Sequence, residues 1–342
     1  MSSPFPRPTR LVAVAAAFAL SLTLAACGGG DDKSGSGTPD SQPVSGGTKL
    51  AALWPLTGEP VTGATPQRPV LVTKIDNSSA SRPQVGLSKA DLVTEELVEG
   101  GITRLAVFYY QRLPGTAGPV RSMRASDIGI VKPAHADIVA SGAAPPTLRR
   151  LKANDITFYD GGGPGYYRDS SRIAPHNLMV HMKELAASLK DKKAVVPASY
   201  LPWGKDSDFT GVAKATKINA TFSRSSTTSW SFEGGKYVNT NSNAADGDRF
   251  KPDNVLVLRV REGDAGYLDP AGNKVPETLY FGKGPALLFH NGQLVRGTWT
   301  KKSRKHPVTL STAAGPLKVP AGHTWIELVP IDKDGGRVTF QK

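Results

Sequence analysis

The sequence predicts an α/β or α+β layered protein, with a mixed-sheet N-terminal domain and a smaller, β-rich C-terminal domain. Three observations lead there. Up to Tyr200, short β-branched and aromatic runs alternate with short helical stretches. Beyond Tyr200 the pattern changes to strands and turns. After the leader and tether, roughly 290 residues remain, which suits two modest domains. The expected organisation is a signal peptide over 1–26, a lipidated flexible tether over 27–53 and an α/β domain over 54–200. A polar connecting region follows over 201–249, then a β-rich domain over 250–342.

The N-terminus carries Arg7 and Arg10, the apolar run Leu11 to Leu24, then Leu24-Ala25-Ala26-Cys27-Gly28. This reads as a signal peptide with a lipobox. The run is too short for a comfortable spanning helix. Cys27 is the only cysteine, so no internal disulfide exists. The expected chemistry is diacylglyceryl on the Cys27 thiol, cleavage before Cys27 and, in some bacteria, palmitate-type acylation of the new amine. Two or more acyl chains anchor stably where one does not. The protein is therefore expected outside the cytoplasm, tied to the bacterial cell membrane. Gly28 to Lys49 is Gly, Ser, Asp, Thr and Pro in character and makes a flexible tether.

Lysine and arginine total 42 against 29 acids, a formal charge of +13. An extracytoplasmic protein meets no genome, so nucleic acid is not an expected partner. Anionic wall polymers or phosphorylated lipid head groups are. The alternative is a solvated basic surface without a ligand.

Taken in order, Trp54 to Pro60 is an extended, docked arm because of its prolines. Val70 to Ile75 is a strand ending on Asp76-Asn77. Ser81 to Gly86 is a loop, and Leu87 to Ala90 one helical turn. Asp91 to Glu99 is the next strand, with Asp91, Val93, Glu95, Leu97 and Glu99 on one face. Gly100-Gly101 makes a tight hairpin into strand Ile102 to Gln111. Ser122 is a candidate cap for a helix ending near Pro133. Ala136 to Ala140 is a short strand, Pro145 starts a helix to Lys152, Ile156 to Tyr159 is a strand, and His181 to Leu189 is helical. In the second half, Val255 to Val260, Leu287 to His290, Leu294 to Thr300, Val308 to Leu310 and Thr324 to Val329 read as strands. His290-Asn291-Gly292-Gln293 is an Asn-Gly hairpin turn. Trp299 and Trp325 are expected in the core.

Several chemistries are disfavoured by missing motifs. There is no Gly-x-Ser-x-Gly elbow, Ser-x-x-Lys, His-Glu-x-x-His or P-loop. The single cysteine is spent on lipid. His176 with His181 is a poor metal pair. No cofactor or metal site is expected, and a carboxylate-held divalent cation stays open. Glu95 and Glu99 lie about 13 Å apart along a strand, too far for a glycosidase pair unless the chain bends. Glu95 is expected to neutralise a neighbouring arginine, whereas Glu99 is the better functional candidate.

The candidate site is basic. Arg121 and Arg124 flank the expected helix start, where the macrodipole already disfavours a cation. One explanation is an anion held by arginine forks and free backbone N–H groups. The other is pairing with internal carboxylates such as Asp91 or Glu99. A second cluster, Arg168, Arg172 and His176 with Asn177, follows the Gly161 to Gly165 loop. His176-Asn177 either orients a ligand, moves a proton or caps a strand. Arg104, Arg121, Arg124, Arg168, Arg172 and His176 are expected to converge, with Asp91 or Glu99 within reach.

Several motifs occur in order. They are the lipobox, Arg82-Pro83-Gln84-x-Gly86-Leu-Ser-x-Ala90-Asp91, Val98-Glu99-Gly100-Gly101-Ile102-Thr103-Arg104 and Gly118-Pro119-Val120-Arg121-Ser122-x-Arg124. Further on come Arg168-Asp169-x-Ser-Arg172-x-Ala-Pro175-His176-Asn177, Gly297-Thr-Trp299 and Thr324-Trp-Ile-Glu-Leu-Val-Pro330. Together they resemble the YerB-like lipoprotein family over residues 55 to 332. The resemblance implies an N-terminal layered α/β domain and a smaller β-rich C-terminal one, without naming a reaction. One departure is Ser141-Gly142-Ala143-Ala144, where the family more often carries a second glycine and a serine. A looser analogy links Asp91, Arg104, Arg121, Arg124, Arg168 and Arg172, by order alone, to the LytR-CpsA-Psr wall-polymer phosphotransferases, which bind polyprenyl pyrophosphates with arginines.

Three functions follow as expectations. The first is a non-catalytic envelope lipoprotein that binds an anionic wall or lipid component through an arginine-rich cleft. The second is an enzyme acting on a phosphorylated wall precursor. The third is a solute receptor, which needs a closed cleft between two similar lobes.

Overall fold

A computed structural model describes residues 52–342, apart from 191, 193, 194 and 212. The signal peptide, Cys27 and nearly all of the tether lie outside the described residues. The first three strands are Leu71–Asp76 (β1), Leu92–Leu97 (β2) and Thr103–Tyr109 (β3). They are β-branched and aliphatic and buried on both faces, as central strands are. Between β2 and β3 the chain turns through Gly100 and Gly101 at φ of 73° and 70°, which only glycine adopts without strain.

Next come Thr116–Ala117 (β4), Asp127–Val131 (α1), Asp137–Val139 (β5), Pro145–Lys152 (α2) and Phe158–Tyr159 (β6). Tyr166–Arg168 (β7), Leu178–His181 (β8) and Met182–Ala187 (α3) complete this half. β4, β8 and β7 form a small antiparallel sheet. Trp203–Gly204 (β9), Ala213–Lys214 (β10), Lys217–Thr221 (β11), Thr227–Glu233 (β12) and Lys236–Asn239 (β13) follow. The C-terminal half adds Asn254–Leu268 (β14), Lys274–Leu279 (β15), Gly282–His290 (β16), Gln293–Lys301 (β17) and Thr309–Thr312 (β18). The last strands are Gly315–Leu317 (β19), Val319–Pro320 (β20), Thr324–Pro330 (β21) and Arg337–Gln341 (β22).

The fold class is as expected: a β-rich α+β protein built on a mixed sheet. The expected N- and C-terminal domains share one sheet rather than having one each. One sheet runs β19-β18-β17-β16-β14-β21-β2-β3-β1-β5-β6, with β10 on β17 and β15 on β14. β21 pairs in parallel with β2, from Leu92 opposite Thr324 to Glu96 opposite Leu328. Each is apolar enough on both faces to be interior, so each completes the other's ladder. One core gathers Val72, Ala106, Phe108, Leu256 and Leu328, and the other Ile75, Leu105, Val107, Val257 and Trp325. Both cores therefore draw on both halves, and Leu50–Lys342 is one unit.

The region 201–249 is not a connector. Its β11, β12 and β13 join β22 in a four-stranded antiparallel sheet. The alternating Trp230, Phe232 and Tyr237 are strand positions there, and Trp230 and Tyr237 are buried. The Asn291-Gly292 turn joins β16 to β17 with φ of 51° and 69°, the expected hairpin. Trp299 and Trp325 lie in the core as expected.

Candidate functional site

Charge gathers where β1 ends and β3 begins. Lys74 and Asp76 share a face by the period of two, and Arg104 lies opposite both Asp76 and Glu96 in the register. Arg104 is 1% exposed. Its Nη1 donates to the Ser122 carbonyl at 3.3 Å, while its Nε has no hydrogen-bond partner among the described residues. Burial pushes its pKa down to about 10, helped by Arg124 and opposed by Glu99 and Asp76. It remains a cation at neutral pH.

The segment 118–126 lays two more arginines beside it. Its backbone runs along the end of β1: Arg121 N donates to Lys74 O at 2.8 Å. The helix expected from Ser122 instead begins at Asp127 and spans five residues. Asp127 Oδ2 accepts the Arg124 N–H at 2.7 Å and closes the turn before α1. Arg121 and Arg124 thus precede the helix, and the macrodipole argument does not apply to them. Arg121 donates from Nη1 to Pro175 O at 3.1 Å and sets its Nε 3.4 Å from Asp76 Oδ2. Arg124 forks onto Glu99, with Nε to Oε2 at 2.7 Å and Nη2 to Oε1. Burial alone would raise Glu99, but the Arg124 bonds and charge, with Arg104, hold it below the usual carboxylate range.

Asp76 is the hub. His176 Nδ1 donates to its Oδ2 at 2.5 Å, and the Ser78 N–H to its Oδ1 at 3.0 Å. Burial would raise its pKa, yet the Ser78 and His176 hydrogen bonds and the Arg104 charge win and lower it. Of the second basic cluster only His176 reaches this node. Arg168 donates to Asn177 Oδ1 at 2.7 Å. Arg172 bonds Asp169 at 3.0 Å, Ser81 O at 3.2 Å and Pro83 O at 2.7 Å. Those contacts brace two loops, and the expected convergence of Arg168 and Arg172 on the site is corrected; the ligand candidate Asn177 is likewise held by Arg168.

Asp91 is also elsewhere, just before β2, at the end of that strand far from Glu96. Its Oδ2 accepts the Tyr110 and Gln111 N–H groups at 2.5 and 3.0 Å. Burial raises its pKa to about 6 despite those bonds. Glu95 does not meet an arginine either. It faces the opposite side of the sheet, across from Glu327. Thr228 Oγ1 bonds Glu95 at 2.9 Å, and Trp230 Nε1 donates to Glu327 at 2.8 Å. Burial first, and repulsion from Glu95 second, push the Glu327 carboxyl well above the usual carboxylate range.

Sequence reasoning missed Asp76 and a buried triad. Lys74 Nζ lies 2.6 Å from Glu96 Oε1 and 2.7 Å from Asp127 Oδ1, all with no exposed side-chain surface. Burial raises Asp127 to about 6 although Lys74 opposes it. The signal was legible: charges at alternate positions in the apolar run Val70 to Asp76. Glu262 also belongs to this neighbourhood electrostatically. Burial, with Glu96, Asp334 and Glu277 adding and Thr278 opposing, pushes it to about 8. Among the described residues, no three His, Cys, Asp or Glu side chains gather as metal ligands.

Two family models match the chain. Both are described as a protein of unknown function (DUF3048), with the N-terminal domain matching residues 56–195 and the C-terminal domain residues 217–326. A Bacillus subtilis (strain 168) protein named putative lipoprotein YerB is 27% identical over 298 residues, covering 83% of this chain and 88% of that protein. The crystal structure of the YerB protein from Bacillus subtilis is similar in fold. Its TM-score is 0.69 at 21% identity, covering 85% of this chain and 100% of that one.

Proposed function

The chain belongs to the two-domain DUF3048 family, and from that premise we propose an extracytoplasmic lipoprotein that binds a phosphate-bearing wall or lipid component through Arg104 and Arg121. The lipobox at Cys27 and the lipoprotein name of the Bacillus subtilis relative support the anchored location. No helix among the described residues is long and apolar enough to cross a membrane, and the proposed attachment is the acyl group on Cys27.

One observation carries the ligand reading: Arg104 is a buried cation whose Nε has no partner among the described residues. A buried charge without a direct ion pair is costly, and an anionic ligand would supply the missing counter-charge. Arg121, one quarter exposed, stands at the rim. Arg124 is saturated by Glu99 and positions the site rather than binding. Titration calorimetry with inorganic pyrophosphate tests this. Arg104→Met is expected to weaken binding at least about tenfold, roughly 1.4 kcal/mol, with an unchanged or higher melting temperature. A variant that is destabilised by about 3 kcal/mol and still binds would assign Arg104 to the fold alone.

A second reading draws on the His176–Asp76 pair. An imidazole held by a carboxylate beside arginines can move a proton during phosphoryl transfer. Turnover of a phosphorylated wall precursor that is lost in His176→Gln would favour this enzyme. The receptor reading loses support, because one sheet through both halves leaves no two similar lobes.

A further inference from the structure

On the sheet face opposite Arg104, a cavity of about 180 Å³ lies between the 77–103 edge and the face of β12 and β13. Every residue lining it is Ser, Thr, Asn or Arg. A second hollow of about 440 Å³ shares Arg82, Asn241, Ser242 and Asn243 with it, so the two form one groove.

The groove's floor is held rigid from behind. Asn77 Nδ2 donates to Glu95 Oε1 at 3.0 Å and to Thr103 Oγ1 at 2.8 Å. Thr228 Oγ1 is tied to the same carboxyl at 2.9 Å. Asn243 bonds Asn77 O at 3.0 Å and accepts from Arg82 Nε at 2.5 Å. Other groups are left free. Asn239 Oδ1 is used by the Asn241 N–H, and Ser242 Oγ by the Ala244 N–H. The Asn239 amide hydrogens and the Ser242 hydroxyl hydrogen therefore have no partner among the described residues and are available to the groove.

We infer that this groove is a binding site for a neutral, hydroxyl-rich glycan. Each sugar hydroxyl donates and accepts at once, and amide and hydroxyl side chains match that pattern. The lining disfavours other classes. The 180 Å³ cavity has no apolar wall for an acyl chain, the second hollow adds only Pro83, Ala244 and Ala245 beside Thr240 and Asp246, and neither offers an aromatic ring on which a nucleobase stacks. The groove's single cation, Arg82, already spends its Nε on Asn243, too little for a polyphosphate. The inference is independent of the arginine site, which lies on the other face.

Saturation-transfer difference NMR on the full chain with tetra-N-acetylchitotetraose tests it, with tetra-alanine as the peptide control. Transfer to the sugar ring protons is expected. It should fall at least about fivefold, the effect of losing roughly 1 kcal/mol of hydrogen bonding, in Asn239→Ala/Ser242→Ala. The melting temperature of that variant should be unchanged, and Arg121→Gln should keep the full signal. No transfer at millimolar sugar, equal transfer in the double variant, or transfer to tetra-alanine instead would each overturn the proposal.

Discussion

Asp76 Oδ2 lies 2.5 Å from His176 Nδ1, a contact that joins the end of β1 to a loop one hundred positions further along the chain. The same carboxylate faces Arg121 at 3.4 Å. Asp76→Asn should therefore cost about 1.5–3 kcal/mol, the range for hydrogen bonds to a charged group. The pH dependence has a definite sign. The folded pKa of Asp76 is lowered, so its contribution is present above the unfolded value near 4 and is lost as pH falls through the folded value. Urea unfolding of both proteins from pH 7 down to pH 3 should show the gap between them closing at the acid end.

The Lys74 triad makes a second prediction. Lys74→Met leaves Glu96 and Asp127 buried without their cation. The expected loss is about 3–5 kcal/mol, read from denaturant midpoints. A loss below about 1 kcal/mol, the scale of an exposed pair, would mean that water reaches the triad.

Glu262 supplies a prediction of opposite sign. Its pKa is raised to about 8, so its neutral form favours the fold. That contribution is full below the unfolded value of about 4.3 and is lost as pH rises through 8. Thermal melts of the wild type should decline between pH 5 and 9. Glu262→Gln, which keeps a neutral acceptor for Thr278, should flatten that decline.

Cys27→Ser should release the protein from the membrane fraction or stall its processing. Detergent phase partition and intact mass measure this. Unchanged partition and mass would remove the lipid anchor from the account.

Much of the fold was legible because its signals are local. The strand runs, the Gly100-Gly101 turn and the Asn291-Gly292 hairpin all depend on neighbouring residues. The β21–β2 pairing was not legible, since nothing local to Thr324 to Pro330 names Leu92 to Leu97 as its partner. The polar stretch after Tyr200 misled for a related reason: its sheet is completed by Arg337–Gln341, more than a hundred residues later. At the site, the cationic residues were found by type, and Glu99 was named among their possible counter-charges and does pair with Arg124, but the hub Asp76 was not found. Arg172 closes on backbone carbonyls that no pattern announces. Asp76 and Lys74 were overlooked because a charge in a buried strand reads as an edge until its partner is known.

The central claim is that Arg121, with Arg104, binds an anion while Arg124 serves the fold. Thermal melts of the wild type, Arg121→Gln and Arg124→Gln, each with and without pyrophosphate, test it most directly. At a ligand concentration a hundredfold above Kd, the wild type should gain about 2.7 kcal/mol, a shift of about 5 °C or more. Arg121→Gln should melt like the unliganded wild type and gain nothing, whereas Arg124→Gln should melt lower without ligand because Glu99 loses its partner. A wild type that pyrophosphate does not stabilise, or an Arg121→Gln variant that keeps the full gain, would contradict the account.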